Sequence, residues 1–467
     1  MKCLPVLLTI FTLLSGCNSE NKKSESVDKP NIIFILTDDH RWDALGYSGN
    51  DIIQTPEMDR LASDGVYFKN AFVTTPICAA SRASIFTGMY ERTHGYTFQQ
   101  GNLKHPYASI SYPALMRQSR YYTGFFGKFG VNYEKVDSLF DVVDNYDRNG
   151  RFQDYRGFFY KTIGQDTVHL TRYTGWQAME FIKNAPADKP FCLSLSFSAP
   201  HAHDPAPDQY FWQPEVDSLY QFFTFAPPVM AEDAWFEAQP EYVRNGFNRT
   251  RWYWRYDTPE KYQHSMKGYY RMISGIDLEI GKIRQVLEEK GLTENTVIIL
   301  LGDNGYFLGE RQLAGKWLMY EPSLRVPLII YDPRNKNSRD IEDLVLNIDI
   351  PSTIFELAGL KIPKEWQGIS LSRYTLGDSP AKSRDIFLCE HLWDFENIPP
   401  SEGVRTKKWK YFRYQKDLAH EELYDLETDP DERNNLADLS QFTEVLTSLR
   451  LKTDSLALNF EKRKQTN

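Results

Sequence analysis

Apolar residues in this chain follow two rhythms, and the switching between them predicts its architecture. Asn31-Ile32-Ile33-Phe34-Ile35-Leu36-Thr37 and Thr296-Val297-Ile298-Ile299-Leu300-Leu301 are unbroken runs rich in β-branched residues, the pattern of central parallel strands covered on both faces. Phe191 to Phe197 and Val326 to Tyr331 read as further strands. Between these runs apolar positions recur at helical spacing: Pro56 to Asp64 through Met58, Leu61 and Ala62, the turn from Ser81 to Thr87, and Tyr269 to Lys290. Another helix starts at Ile350, with Pro351 in its first turn. Strands alternating with helices predict a layered α/β domain, assigned to residues 30–362.

From about Pro363 the segments shorten. Ile386 to Cys389, Gly403 to Thr406, Trp409 to Arg413 and Glu422 to Leu426 predict antiparallel strands, closed by a helix from Gln441 to Phe460. This defines a smaller α+β subdomain over 363–467. Tyr210 to Tyr262 stands apart as an excursion, crowding Phe211, Trp212, Phe222, Phe223, Trp235, Trp252, Tyr253 and Trp254 with Arg244, Arg249, Arg251 and Arg255. It reads equally as an aromatic and cationic wall for a charged sugar or as a local core with a solvated arginine face. Asn248-Arg249-Thr250 is formally a glycosylation acceptor, which a bacterial reading of the chain would make accidental.

The N-terminus has the charged start and short apolar core of an export signal: Met1-Lys2, an apolar run from Leu4 to Leu14, then Ser15-Gly16-Cys17. The run is too short to span a membrane as a mature helix. A cysteine after Leu-Ser-Gly resembles a bacterial lipoprotein signal, which makes 1–17 the signal peptide with Cys17 as the lipidated first residue; a plain secretory signal is the other reading. Residues 18–29 are polar and read as a flexible tether. The protein is therefore expected to be exported to the periplasm or cell surface, touching the membrane through its lipid alone.

With 467 residues, 41% hydrophobic, the chain is globular and long enough for one large domain and a smaller one. A formal net charge of -9 argues against a nucleic-acid partner. Of five cysteines, Cys3 and Cys17 belong to the leader, Cys192 lies in an apolar run and reads as a buried thiol, and Cys389 and Cys78 remain. No disulfide framework is implied.

Both long apolar runs end in polar pairs, Asp38-Asp39 and Asp303-Asn304. Parallel strands would aim these pairs at one sheet edge, where open α/β sheets place ligands. Carboxylate and amide oxygens without thiolate or imidazole suit calcium or magnesium more than zinc; an Asp pair alone would also serve as a turn or helix cap. Ile77-Cys78-Ala79-Ala80-Ser81-Arg82, ahead of Thr87-Gly88, sets a cysteine one helical turn before an arginine. Lys128 and Lys316 each follow a glycine, which permits close backbone approach. Ser198-Ala199-Pro200-His201-Ala202-His203 follows a buried strand and offers imidazoles that titrate near neutrality. His40 beside the acids, His94 after the helix and Glu390-His391 in the C-terminal subdomain complete the candidates.

Taken together, these motifs resemble the type I, formylglycine-dependent sulfatases of the alkaline phosphatase-like superfamily, in particular bacterial polysaccharide sulfatases. The ending from Leu423-Tyr424-Asp425-Leu426 to Asn434-Asn435-Leu436 is similar to theirs. The resemblance implies a large, mixed, mostly parallel sheet sandwiched by helices, with an antiparallel sheet in the small subdomain. It implies that Cys78 is oxidised to formylglycine (3-oxoalanine), hydrated to a diol that attacks sulfur, and held by Arg82 beside one Ca2+. Asp38, Asp39, Asp303 and Asn304, with the modified Cys78, would be the metal ligands. Lys128 and Lys316 would grip the sulfate, and His201 with His203 in reserve would protonate the leaving oxygen; His94, His391 and Arg251 are read from their places in the chain as lining the substrate pocket. Ala80 stands where many members carry proline, a form that resembles substrates of the radical-type maturation enzyme of anaerobic bacteria; the implied maturation partner is a formylglycine-generating or an anaerobic sulfatase-maturing enzyme. Gly130 stands where a histidine is common. The expected activity is hydrolysis of sulfate esters on a sulfated carbohydrate, such as ulvan, a glycosaminoglycan or their oligosaccharides. A phosphonate or phosphodiester hydrolase and a catalytically silent glycan-binding lipoprotein are the competing readings.

Overall fold

The computed structural model describes Met1 and residues 29–98, 101–149, 155–204, 206–335, 338–378, 383–395 and 397–464. The expected signal peptide with Cys3 and Cys17, and nearly all of the tether, lie outside the described residues.

The two longest apolar runs form the centre of an eight-stranded sheet. Its strands are β1 (Asn31–Thr37), β2 (Val66–Phe68), β3 (Tyr122–Gly127), β4 (Val142–Asn145), β5 (Phe191–Ser196), β6 (Thr296–Gly302), β7 (Leu328–Tyr331) and β8 (Arg339–Ile341). They lie in the order β8-β2-β7-β6-β1-β5-β3-β4. β1 pairs in parallel with β5 and β6, β3 with β5 and β4, and β8 with β2, while β7 runs antiparallel to β6 and β2. The sheet is mixed and mostly parallel.

Alternation along β1 and β6 splits the core into two. Ile33, Ile35, Ile298 and Leu300 face one layer, where α1 (Pro56–Asp64), α3 (Leu170–Asn184) and α5 (Pro259–Glu289) bury Met58, Leu61, Phe181, Ile273, Ile276 and Ile280. Ile32, Phe34, Leu36, Val297 and Ile299 face the other, against Ala79, Ala83 and Phe86 of α2 (Cys78–Thr87) and Ile350 and Ile354 of α6 (Asp349–Leu357). At roughly 1.5–3 kcal/mol per buried aliphatic side chain, this two-sided covering explains why no polar residue interrupts these strands.

The C-terminal part forms a four-stranded antiparallel sheet, β9 (Ile386–His391), β10 (Ser401–Thr406), β11 (Trp409–Tyr414) and β12 (Asp417–Asp425), covered by α7 (Thr443–Lys462). The expected strands are present, most of them a few residues longer than predicted. α5 starts ten residues ahead of the predicted Tyr269, because Pro259 opens it and the Thr258 side chain accepts the Lys261 N–H. In the excursion, α4 (Phe247–Arg255) packs against α5 and a short ribbon at Ala314–Gly315.

Candidate active site

Five neighbouring parallel strands deliver the polar groups at their carboxyl ends, as open α/β sheets do. β1 leads into Asp38-Asp39, β6 into Asp303-Asn304, β5 into the Ser198 to His203 loop, β3 into Lys128 and β4 into the loop bearing Arg148. Cys78 opens α2, so its backbone N–H groups turn their positive end toward the same point. Two non-glycine residues here hold left-handed backbone, Asp39 at φ 65° and Trp317 at φ 82°, the kind of local strain that packed functional sites sustain. Asp39 is fixed through its backbone: its N–H donates to Asp303 Oδ1 at 3.1 Å and its carbonyl accepts the Tyr269 hydroxyl at 2.7 Å.

Arg82 ties the cysteine helix to the acidic strand ends. Its Nε donates to Asp303 Oδ2 at 2.7 Å, and its Nη1 donates to the Lys128 carbonyl and to Ser196 Oγ, each at 2.5 Å. Lys128 Nζ donates to Asp38 Oδ2 at 2.5 Å, and Lys316 Nζ donates to Asp39 Oδ1. Cys78 lies within electrostatic reach of Arg82, Lys128 and Lys316. Burial pushes the Asp38 carboxyl up, but Lys128, His201, Lys316 and Arg82 outweigh it and hold it well below the ordinary range. Burial lifts Asp303 to about 6, with Asp38 adding to the rise and Arg82 opposing it.

Three buried oxygens here have no hydrogen-bond donor among the described residues: Asp38 Oδ1, Asp39 Oδ2 and Asn304 Oδ1. Buried acceptors of that kind call for a partner, and a set made only of carboxylate and amide oxygens fits a hard cation. Asn304 Nδ2 donates to Asp39 Oδ1 at 2.7 Å and to the Gly305 carbonyl at 2.8 Å, which fixes its oxygen on the opposite side. Asp38, Asp39 and His201 also offer ligand atoms within 4.8 Å of one another. His201 Nδ1 donates to the Ala202 carbonyl at 2.6 Å, leaving Nε2 bare and 3.5 Å from Asp39 Oδ2. Burial, then Arg148 and Lys316, hold this ring far below its usual pKa, so it is a neutral proton acceptor.

The glycines before the lysines have the close approaches that sequence suggested. Gly127 (φ 107°) lies where a Cβ would stand 2.0 Å from the Ser196 carbonyl, and Gly315 (φ 101°) lies beneath Arg251 and Trp317. Asn248 turns its amide inward, donating to the carbonyls of Ala314 at 3.0 Å and Lys316 at 2.9 Å.

The remaining histidines are placed differently from the acidic cluster. His203 is buried against Phe158 and Phe211. His94 has both ring nitrogens engaged, toward Ser84 Oγ at 3.0 Å and the Tyr96 N–H at 3.1 Å, so it braces α2 rather than facing a pocket. His40 braces its own turn through Thr37 and Ala44. Glu390 points away, to Arg92. His391 is fully buried beside Trp393, and its ring nitrogens have no hydrogen bond among the described residues. On α4, Arg249 stacks on Phe236, Trp252 and Tyr253, while Arg251 and Arg255 are buried and paired with Asp204, so these two are not the solvated arginine face of the second reading.

Two residues at the centre had escaped sequence reasoning. Arg148 Nη1 stands 3.3 Å from Asp38 Oδ2, and Ser196 relays between Arg82 and the Lys128 carbonyl. Ser196 lies inside the predicted Phe191 to Phe197 run and ends the observed β5; Arg148 follows a short, half-exposed strand with little apolar signal.

Comparison with known proteins matches residues 30–360 to the family model described as Sulfatase. Residues 309–459 match the model for the C-terminal part of N-sulphoglucosamine sulphohydrolase. An N-acetylglucosamine-6-O-sulfatase of Bacteroides thetaiotaomicron is 26% identical, covering 93% of this chain and 88% of its own length. An ulvan-active sulfatase of Formosa agariphila is 26% identical over 96% of this chain and 85% of its own. A protein solved with its substrate D-glucosamine-2-N,6-O-disulfate superposes with a TM-score of 0.79 at 25% identity, covering 93% of this chain and 99% of that one. The phosphonate monoester hydrolase of Silicibacter pomeroyi shares the fold, with a TM-score of 0.75 at 22% identity over 92% and 93% of the two chains.

Proposed function

This chain belongs to the sulfatase family and is a sulfuric ester hydrolase, and on that premise we propose that it cleaves sulfate esters of a sulfated carbohydrate using formylglycine made from Cys78 and one Ca2+. The observation that carries the reading is Arg82, which joins the Cys78 helix to Asp303 inside a single buried cluster. A glycan substrate is supported by the relatives, one named an N-acetylglucosamine-6-O-sulfatase and another an ulvan-active sulfatase.

Asp38, Asp39, Asp303 and Asn304 are the residues that would hold the ion, which supplies positive charge against the sulfate oxygens. Cys78, once oxidised by a formylglycine-generating or anaerobic sulfatase-maturing enzyme, would supply a hydrated carbonyl whose hydroxyl displaces the sugar oxygen from sulfur. Arg82 is locked by three acceptors and orients that first helical turn. Lys128, Lys316 and Arg148 add cationic charge where the anionic ester must sit. His201, taking a proton from solvent at Nε2, would be the acid that passes it to the leaving sugar oxygen as the bond from sulfur to that oxygen breaks.

The test is sulfate release from defined sulfated oligosaccharides by protein co-expressed with a maturation enzyme, alongside an aryl phosphodiester. Dominant phosphodiester turnover would favour the activity named for the fold neighbour instead. Cys78→Ala should abolish turnover, and mass spectrometry should find Cys78 carrying an aldehyde; an unmodified thiol in active protein would sink the mechanism. The leader supports export and lipid anchoring at Cys17. Metabolic labelling with a fatty acid should mark the protein and fail to mark Cys17→Ala.

A further inference from the structure

Two guanidinium groups beside the reaction centre share one carboxylate. Arg251 Nη2 donates to Asp204 Oδ2 at 2.5 Å, and Arg255 Nη2 donates to Asp204 Oδ1. Arg255 is fully buried and Arg251 is 5% exposed, yet Nε and Nη1 of both lack a hydrogen-bond partner among the described residues. Buried charge is costly unless paired and hydrogen-bonded, and here two cations face one anion. The Arg251 guanidinium lies 4.6 Å from the Trp317 ring centroid and 5.0 Å from that of Phe247. These rings fix its plane but accept no conventional hydrogen bond.

The position ties this group to the reaction. Arg251 Nη1 covers Gly315, one residue before Lys316, at 3.2 Å from where a Cβ would stand. Asp204 follows His201 in the same loop, and its side chain is 25% exposed, so the trio opens to solvent there. A planar, pre-oriented guanidinium with unused, buried N–H groups beside the Lys316 turn matches a carboxylate or sulfate. Asp204 takes one N–H from each guanidinium, which leaves Nε and Nη1 of Arg251 without an acceptor among the described residues.

Resting on the sulfatase reading, the geometry points to Arg251 as the residue that binds a second anionic group on the substrate, beside the sulfate ester to be cleaved. The substrate class is then a polyanionic glycan, bearing either a uronate carboxylate or a further sulfate, rather than a neutral sugar with one sulfate. Asp204 and Arg255 are positioning residues that hold the Arg251 plane.

Three matched disaccharides distinguish the sources of the anion: a monosulfated one carrying a uronate, its carboxyl-reduced counterpart, and that counterpart with a second sulfate. In the matured parent, kcat/KM for at least one dianionic member should exceed that for the singly charged one by about tenfold or more, mainly through KM. In Arg251→Gln that ratio should fall toward unity, and Arg251→Lys should recover part of it. Because each ratio is internal to one protein, a general loss of activity cancels. Equilibrium binding of the same three sugars to Cys78→Ala reads the same preference without turnover, and thermal melting checks that the variants fold. A parent ratio near unity, or an Arg251→Gln ratio equal to the parent's, overturns the proposal. If none of the sugars releases sulfate, the sulfatase reading fails on its own, while the binding ratio still decides the role of Arg251.

Discussion

Arg82 carries more of the site than any other single residue, since three acceptors on three different strand ends converge on its guanidinium. A lysine keeps the charge but cannot span that fork. Arg82→Lys should lower kcat/KM by about 10²- to 10³-fold and cost about 3 kcal/mol of stability in chemical denaturation, because Asp303 is left without its buried partner. Rates within a few-fold of the parent would remove Arg82 from the proposed mechanism. The bare oxygens of Asp38, Asp39 and Asn304 make a second prediction, read without any turnover. Calcium should raise the melting temperature of Cys78→Ala protein progressively with concentration, and an added Asn304→Leu change should flatten that response; an unchanged response would show that the ion binds elsewhere. At this scale Cys78, Arg82 and the two polar pairs were legible because each follows or opens a strongly patterned segment. The roles of His94 and His203 were not, because a ring's hydrogen-bond partners depend on packing that spacing does not encode.

Among the elements, α1 is started from outside itself. Asp277, on α5, accepts the N–H groups of Glu57 at 3.2 Å and Met58 at 2.7 Å, and burial lifts its carboxyl to about 7. An unfolded aspartate titrates near 4, so the folded pKa is the higher one. The stability tied to this proton is therefore full below about pH 4 and lost as pH rises through about 7. Asp277→Asn, whose single amide oxygen keeps one of the two bonds without charge, should gain on the parent in melting temperature between pH 5 and pH 8; a constant gap would refute the assignment. Elements differed in legibility for similar physical reasons. β1 and β6 announce themselves because both faces are covered, whereas Tyr122-Thr123-Gly124-Phe125-Phe126-Gly127 carries two glycines that weaken a strand signal. Gly124 is required there because a Cβ would meet the Phe181 ring at 2.6 Å. Thr258-Pro259 did mark the true start of α5, but the apolar periodicity that guided the prediction is clear only later in the helix.

Across the whole molecule, the small sheet is fastened to the large one by buried charge. Lys410, fully buried on β11, reaches Glu321 Oε1 and Glu432 Oε1, each at 2.7 Å, while Tyr320 donates to Glu422 on β12 at 2.6 Å. Lys410→Met would take away the ion-pair partner of Glu432 and leave Glu321 paired with Arg405, and should cost about 3–5 kcal/mol. Denaturant unfolding followed by tryptophan fluorescence should still show one transition if the parts fold together; two separate transitions would mean they are independent. This joint was invisible in the sequence, since ion pairing between distant segments leaves no local pattern. A different long-range tie bears on how the protein can be made. Because the Asn248 amide is spent on the backbone around Lys316, a yeast or mammalian secretory host that attached a sugar to this acceptor would fill the space the ribbon needs, so recombinant enzyme from such cells should be productive only from its unglycosylated fraction.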